Sequence, residues 1–241
     1  MPKVRFLVRI FQSYIFSMSN IINYYFKMKR HLIYSLAFLA LIACTKESND
    51  ENNDKIENTR PTSGQSIDLG LSVNWAGWNI GASSPQENGD YFAWGETTSK
   101  DIYHWDNYYF MNSDGNYDFP SNNICGTKYD AATVKWGNEW RMPTTKEFQE
   151  LIDNCDWEYA QYKDKWGYFV TGSNGNSIFI PAAGFHWEID SELQDEGKWG
   201  QYLTGERSSD YSIGLLFCDE YAEISDNNPV YIGLPIRAVN D

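Results

Sequence analysis

The segment "KWGNEWRMPTTKEFQELIDNCDW" (residues 135–157) carries the strongest helix signal of the chain. Thr144 and Glu147 have the spacing of a capping box, in which each side chain binds the backbone amide of the other residue. An apolar stripe follows at helical spacing, formed by Phe148, Leu151, Ile152 and Cys155. We therefore predict a helix over 145–155 that packs through this stripe.

The residues before this helix are expected to be structural. Pro143 fixes the backbone at the helix entry. Arg141 has three candidate partners: the carboxylate of Glu147, that of Glu150, or the carbonyl groups of the adjoining loop. A shorter helical turn is predicted within "KYDAATVKW" (128–136).

The rest of the chain has the signature of β-structure, with abundant aromatic residues and recurrent Gly, Asn and Asp. A hairpin is predicted around Asn174-Gly175, a dipeptide that suits a tight primed turn. Other predicted strands lie in 67–82, in 89–98 and in a C-terminal meander over 211–218, 221–225 and 230–239. The expected class is α+β, with twisted antiparallel sheets and one or two short helices.

Residues 28–44, "MKRHLIYSLAFLALIAC", begin with basic residues and continue as an apolar run. This pattern predicts a signal peptide over 28–43, since the run is too short to favour a membrane-spanning helix. The alternative is an uncleaved anchor or a buried helix. Cys44 follows a small residue, as in the bacterial lipobox, so we expect it to be lipidated. Residues 1–27 are interpreted as an upstream extension that precedes the better start at Met28.

The segment 44–65 is polar and acidic, so we interpret it as a disordered tether to a folded domain over 66–241. Residues 1–43 contain six basic and no acidic residues, which leaves 13 basic and 33 acidic residues in the remaining chain. Its formal charge of −20 disfavours nucleic acid and anionic lipid as partners. Membrane contact is therefore expected through the lipid on Cys44.

No metal site is predicted. The chain has no C-x-x-C spacing, which argues against zinc. The segment "NSDGNYD" (112–118) spaces oxygen ligands as a calcium loop does, but its glycine position fits a hairpin turn better. Cys125, Cys155 and Cys218 allow one disulfide bridge and leave one thiol over, or all three are free core residues.

Three stretches together resemble the FISUMP (Fibrobacter succinogenes major paralogous) domain of bacterial surface lipoproteins. They are "DLGLSVNWAGWNIGASSPQENGDYFAWGETT" (68–98), "ICGTKYDAATVKWGNEWRMPTTKEFQELIDNCDW" (124–157) and "VTGSNGNSIFIPAAG" (170–184). The likeness covers residues 66–239. The "RMPTTKEF" core is also similar to that of formylglycine-generating and sulfatase-modifying-factor proteins, and this resemblance implies a C-type-lectin-like fold.

The chain departs from the FISUMP pattern near its end, at "YLTGERSSD" (202–210) and "IGLPIRAV" (232–239). Tyr202 and Arg237 fit the pattern, but the tryptophan and serines of one strand are replaced. Ligand contacts made by that strand in relatives are therefore not carried over to this chain.

Catalysis is not expected. Formylglycine-generating enzymes work through two cysteines near the C-terminus, whereas only Cys218 lies in that region here. No catalytic residue and no cofactor are predicted. An oxidase or glycoside hydrolase is the less favoured alternative, and it would require a second thiol near Cys218 or two carboxylates that line a cleft.

Two stretches, 101–110 and 184–202, mix aromatic and polar residues without alternation. Such segments form carbohydrate-stacking surfaces or protein contacts, or else they cap the core. The predicted recognition residues are Tyr103, Trp105, Tyr108, His186, Trp187 and Trp199. These features favour an outer-membrane lipoprotein, exposed on the cell surface, that binds an extracellular glycan. The alternative is a structural or adhesive subunit of a surface protein assembly.

Overall fold

The computed structural model describes residues 66–187 and 192–241. The predicted upstream extension, signal peptide, lipidation site Cys44 and tether lie outside the described residues. The described part is mostly β, with three small antiparallel sheets and two α-helices. It has the architecture of an α+β domain, as the sequence predicts.

Each of the three sheets has three strands. The first contains β1 (Ser66–Ile67), β2 (Asn74–Ala76) and β9 (Val239–Asn240), with β2 in the centre. The second contains β3 (Asp156–Tyr162), β4 (Lys165–Thr171) and β5 (Ser177–Pro181), and the third contains β6 (Gly200–Ser208), β7 (Tyr211–Phe217) and β8 (Ala222–Pro229). In both of these sheets the strands pair in chain order. The first sheet instead joins the two ends of the described region, because Trp75 pairs with Val239.

The helices are α1 (Ala131–Trp136) and α2 (Thr145–Asn154), and a short 3₁₀ helix spans Trp105–Asn107. Helix α2 matches the helix predicted over 145–155, with Cys155 as its C-terminal cap. Its capping box is formed: Glu147 N–H donates to Thr144 Oγ1 (3.3 Å) and Thr144 N–H donates to the Glu147 carboxylate (2.7 Å). The predicted stripe packs into the core, where Phe148 and Leu151 are fully buried and Ile152 and Cys155 are partly buried.

The guanidinium of Arg141 binds two of the three partners that the sequence allows, the Glu147 carboxylate and a loop carbonyl, that of Met142 (3.4 Å). Nη1 lies 2.9 Å from Oε2 and Nη2 lies 2.6 Å from Oε1, so the pair is bidentate. Glu150 instead accepts a hydrogen bond from the amide of Ser72 (3.0 Å). The carbonyl of Pro143 accepts from the amide of Gly205 (3.0 Å), which ties the helix entry to β6. These contacts confirm a structural role for the predicted motif.

Acid is expected to weaken this ion pair. Burial alone would raise the pKa of Glu147, but Arg141 and the Thr144 amide outweigh burial and hold that pKa below its ordinary 4.5. The stabilisation is therefore complete above pH 4.5 and is lost as the pH falls through the lower pKa of the folded state. We expect Glu147→Gln to cost about 1–2 kcal/mol at neutral pH and to flatten the acid side of the stability profile.

Urea unfolding at a series of pH values checks this expectation. Glu158→Gln is the matched control, because Glu158 is exposed on β3. The expectation is wrong if the Glu147 and Glu158 variants lose stability in parallel as the medium is acidified.

Helix α1 confirms the shorter helical turn predicted within 128–136, and Asp130 organises it. The Asp130 carboxylate accepts hydrogen bonds from four backbone amides, at distances of 2.8 to 3.1 Å. The amides of Ala132 and Thr133 belong to the first turn of α1, whereas those of Gly126 and Met142 belong to flanking loops. One buried carboxylate thus caps α1 and fixes the loop that leads to α2.

Two predicted turns are present, one of them with a different geometry. Residues 112–118 form a hairpin turn in which Met111 pairs with Tyr117. The β4–β5 hairpin turns at Asn174-Gly175, but only Gly175 of the two has positive φ (+86°). Both primed turns need positive φ at the first central residue, which Asn174 does not have, so the primed turn is a wrong prediction. Gly175 N–H donates to the carbonyl of Gly172, as in a type I turn followed by a glycine bulge.

Two strand predictions are also wrong. Residues 89–98 form no strand; only Phe92 makes an isolated bridge there, to Leu234. The C-terminal meander includes β7 and β8 as predicted, but its third strand is β6, which precedes them. Residues 230–238 instead form a turn followed by a largely buried segment without regular secondary structure, and Val239–Asn240 joins the first sheet.

Arg237 lies in this segment and is fully buried. Its Nη1 donates to the carbonyl of Ala76 in the first sheet (3.1 Å), and Nη2 donates to that of Phe179 in the second (2.9 Å). Nε donates to Asn79 Oδ1 (2.8 Å), and the Asn79 amide donates to the hydroxyl of Tyr202 in the third sheet (3.2 Å). One guanidinium therefore links all three sheets.

Candidate functional site

Two of the six predicted recognition residues belong to the core. Tyr103 is 1% exposed and Tyr108 is 2% exposed. The hydroxyl of Tyr103 donates to the carbonyl of Tyr91, and that of Tyr108 donates to the carbonyl of Trp94 (2.7 Å). Placing these two rings on a contact surface is therefore wrong: each buries its ring and satisfies its hydroxyl with a backbone carbonyl.

Three other predicted residues, His186, Trp105 and Trp187, are partly buried. The His186 ring meets Tyr91 edge-on (4.6 Å between ring centroids) and stacks on Tyr103 (5.9 Å). Trp105 packs beside His104 (5.2 Å), and Trp187 lies against Phe185 (6.5 Å). All three contact another aromatic ring and offer only part of their surface to solvent.

Trp199, the sixth predicted residue, lies elsewhere, immediately before β6. Its indole meets the ring of Tyr221 edge-on, with 6.2 Å between centroids, and both rings are half-buried. Tyr221 follows the β7–β8 turn, which contains Asp219 and Glu220. Trp199 therefore lies at one end of the third sheet, where its partner Tyr221 adjoins a turn that carries two carboxylates.

Trp166 is the most exposed tryptophan of residues 66–187 and 192–241, with 45% of its surface accessible to solvent. It lies on β4 and stacks on Tyr159 of β3, with 5.6 Å between ring centroids and only 10° between the ring planes. Because Tyr159 covers one side of the indole, the exposed surface is concentrated on the other side and the edges. A parallel, supported and exposed indole has the geometry of a stacking platform.

A hydrogen bond brings these two aromatic pairs together. The hydroxyl of Tyr159 donates to the carbonyl of Gly197 (3.2 Å), two residues before Trp199. We call the resulting surface the aromatic patch, formed by Tyr159, Trp166, Trp199 and Tyr221. Burial raises the pKa of Tyr159, and the negative charge of Asp219, in the turn before Tyr221, raises it further.

Each tryptophan of the patch is followed by a glycine at which the backbone packs closely against its neighbours. A Cβ at Gly167, next to Trp166, would overlap the backbone of Ile180 and Pro181 on the neighbouring strand. A Cβ at Gly200, next to Trp199, would overlap the ring of Phe217. Each Trp-Gly pair therefore combines a surface ring with a backbone that approaches its neighbour closely.

Sequence reasoning did not select Trp166. The sequence of β4 reads as a nearly continuous aromatic and aliphatic strand, in which no single ring stands out as exposed. The signal that could have found it is the polar turn "KDK" (163–165) immediately before Trp166, since a ring at the end of a strand lies beyond the covered core. Tyr109, in the stretch 101–110, was also not selected, although it is 72% exposed.

The cysteines in the described ranges, Cys125, Cys155 and Cys218, are free. Burial raises the pKa of Cys125 to about 12 and that of Cys155 to about 11, and nearby carboxylates contribute to both shifts. Cys218 is buried at the end of the third sheet. High thiol pKa values keep Cys125 and Cys155 protonated, and therefore poorly nucleophilic, at neutral pH.

Among residues 66–187 and 192–241, no group of three or more His, Cys, Asp or Glu side chains is arranged to hold a metal ion. Within the same part of the chain, neither α-helix has the length and apolar character needed to cross a bilayer. Comparisons of the chain with protein-family models, with curated proteins and with solved structures found no match.

Proposed function

We propose that this chain is a surface-anchored lipoprotein whose folded domain binds an extracellular glycan without chemically changing it. Anchoring through Cys44 in the outer membrane is supported by the signal pattern over 28–44 and by the acidic tether that follows. The antiparallel sheets and capped helix α2 are compatible with a C-type-lectin-like fold of the FISUMP type. The resemblance over residues 66–239 supports that finer assignment.

The observation that carries the glycan-binding proposal is the exposed stack of Trp166 on Tyr159. Exposing so much of a tryptophan ring to water is unfavourable, because burial of its apolar area would lower the free energy. Sugar rings have an apolar face of C–H groups that can cover such an indole, and their hydroxyls remain free for hydrogen bonds. Asp219 and Glu220 provide acceptor oxygens close to the patch.

We expect Trp166→Ala to weaken glycan binding about tenfold or more, because removal of a central aromatic anchor typically costs more than 1 kcal/mol. Binding is measured with the full-length protein, first on an array of polysaccharides and then by isothermal titration with those that bind. Circular dichroism confirms that the variant is folded.

Tyr211→Ala is the matched control. Tyr211 is similarly exposed (39%) but lies at the start of β7, whereas the patch adjoins the end of that strand. Its removal should leave the affinity unchanged. The proposal fails if no glycan on the array binds, or if the Trp166 variant binds as tightly as the parent protein.

A further inference from the structure

We infer that the aromatic patch binds an uncharged polysaccharide along its chain, with at least two successive sugar rings in contact with the protein. This inference rests on the proposed function and specifies its ligand class. Three features of the patch carry it: two separate ring pairs, their connection through one loop, and the sign of the surrounding charge.

The two ring pairs are distinct binding positions. Trp166 and Tyr159 stack in parallel, so they form one flat position on the second sheet. Trp199 and Tyr221 meet edge-on at the end of the third sheet, and they form the other position. A single sugar ring covers about one indole, so a ligand that uses both positions must be longer than a monosaccharide.

The loop 195–199 fixes the two positions relative to each other. Its Gly197 carbonyl accepts from the Tyr159 hydroxyl, and its Trp199 carbonyl accepts from the Gly184 amide (2.8 Å). The Glu196 carboxylate in the same loop pairs with Lys165, the residue before Trp166. Because these contacts preorganise the patch, binding a chain requires little additional ordering of the protein.

The charge around the patch selects against polyanions. Asp219 and Glu220 are exposed beside it. Two of the nearby cations are paired with carboxylates, Lys165 with Glu196 and Lys198 with Asp195 (3.7 Å), whereas Lys163 lies over the ring of Tyr162. The whole chain has a formal charge of −14, so a uronate or sulfate chain would be repelled. The hydroxyl groups of an uncharged chain can instead donate hydrogen bonds to the carboxylates of Asp219 and Glu220.

A length series tests this inference. Glucose and β-linked gluco-oligosaccharides of two to six units are titrated into the full-length protein, beside galacturonate oligomers of equal length. An uncharged polysaccharide that binds on the array replaces the glucose series if glucose polymers do not bind. We expect the affinity to rise about tenfold or more between one and four units and then to level off, with no binding of the uronate series.

Trp199→Ala should flatten this length dependence while leaving weak binding at the Trp166 position. Tyr211→Ala should leave the whole series unchanged. Equal affinity for the monosaccharide and the hexamer overturns the inference but not the proposed function, and so does binding of the uronate oligomers as tightly as the neutral ones. Absence of binding to every glycan overturns both.

Discussion

Replacing Arg237 with alanine is expected to lower the free energy of unfolding by about 3–5 kcal/mol. The side chain is fully buried, and its three acceptors are neutral oxygens of Asn79, Ala76 and Phe179. Alanine would leave these oxygens without their donor inside the core, at about 1–3 kcal/mol for each. It would also open a cavity between the three sheets.

Part of this loss is offset because burying a charge is itself unfavourable. Burial lowers the pKa of Arg237 to about 10, and the neighbouring Tyr202 partly opposes that shift. The guanidinium therefore remains protonated at neutral pH, where its five N–H groups suit the fixed positions of the acceptors. Arg237→Lys keeps a positive charge but not this fork, so it should recover less than half of the lost stability.

Urea unfolding monitored by tryptophan fluorescence gives both values. Arg207→Ala is the control: Arg207 is partly exposed and lies over the ring of Phe119, with 3.8 Å from the guanidinium carbon to the ring centroid. Its loss should cost about 1 kcal/mol. If the Arg237 and Arg207 alanine variants are equally stable, Arg237 does not tie the sheets together.

Replacing Asp130 with alanine should cost about 3 kcal/mol or more. Four backbone amides converge on this carboxylate, which is 0% exposed, so alanine would leave these buried donors without their acceptor. Burial raises the pKa of Asp130, and the four amides act in the opposite direction. Asp130→Asn should retain only part of the stability, because its amide nitrogen would face donors where an acceptor is needed.

The same unfolding experiment tests this second expectation, with Asp118→Ala as the control, because Asp118 is exposed in its loop. Hydrogen exchange adds a local measurement. The amides of Ala132, Thr133 and Met142 should lose protection in Asp130→Ala and keep it in Asp118→Ala. Unchanged protection at these amides would contradict the role given to the carboxylate.

The structural features that could be predicted from the sequence are those formed by residues close together in the chain. Helix α2 and its capping box depend on residues within one turn of each other, so their spacing alone predicts them. The bond between Arg141 and Glu147 was one of three stated alternatives for the same reason. The β4–β5 hairpin is also local, although its turn type was wrong because only Gly175 takes positive φ.

Features that depend on distant parts of the chain were not predictable. Residues 89–98 read as a strand, but their only bridge is made by Phe92 to Leu234, far along the sequence. Arg237 matches a family pattern, but the residues around it in the sequence do not indicate that its backbone partners lie on two different sheets. Long-range pairing, rather than local preference, determines both.

The candidate site was also only partly predictable from the sequence. Composition indicated that aromatic residues would form a surface, but it could not separate buried from exposed rings within 101–110. Tyr103 and Tyr108 there are core residues, whereas Tyr109 is the exposed one. Trp199 was selected in advance, while Trp166 became recognisable only through its stack on Tyr159 of the adjacent strand.

The most direct test of the account is fluorine NMR of the full-length protein labelled with 5-fluorotryptophan, titrated with an uncharged oligosaccharide that binds on the array. The chain has ten tryptophans, and substitution with phenylalanine assigns the resonances of Trp166, Trp199 and the fully buried Trp75. The account predicts that the Trp166 and Trp199 resonances shift with the ligand while that of Trp75 does not. Saturable binding that leaves Trp166 and Trp199 unshifted, or that shifts only Trp105 and Trp187, would contradict it.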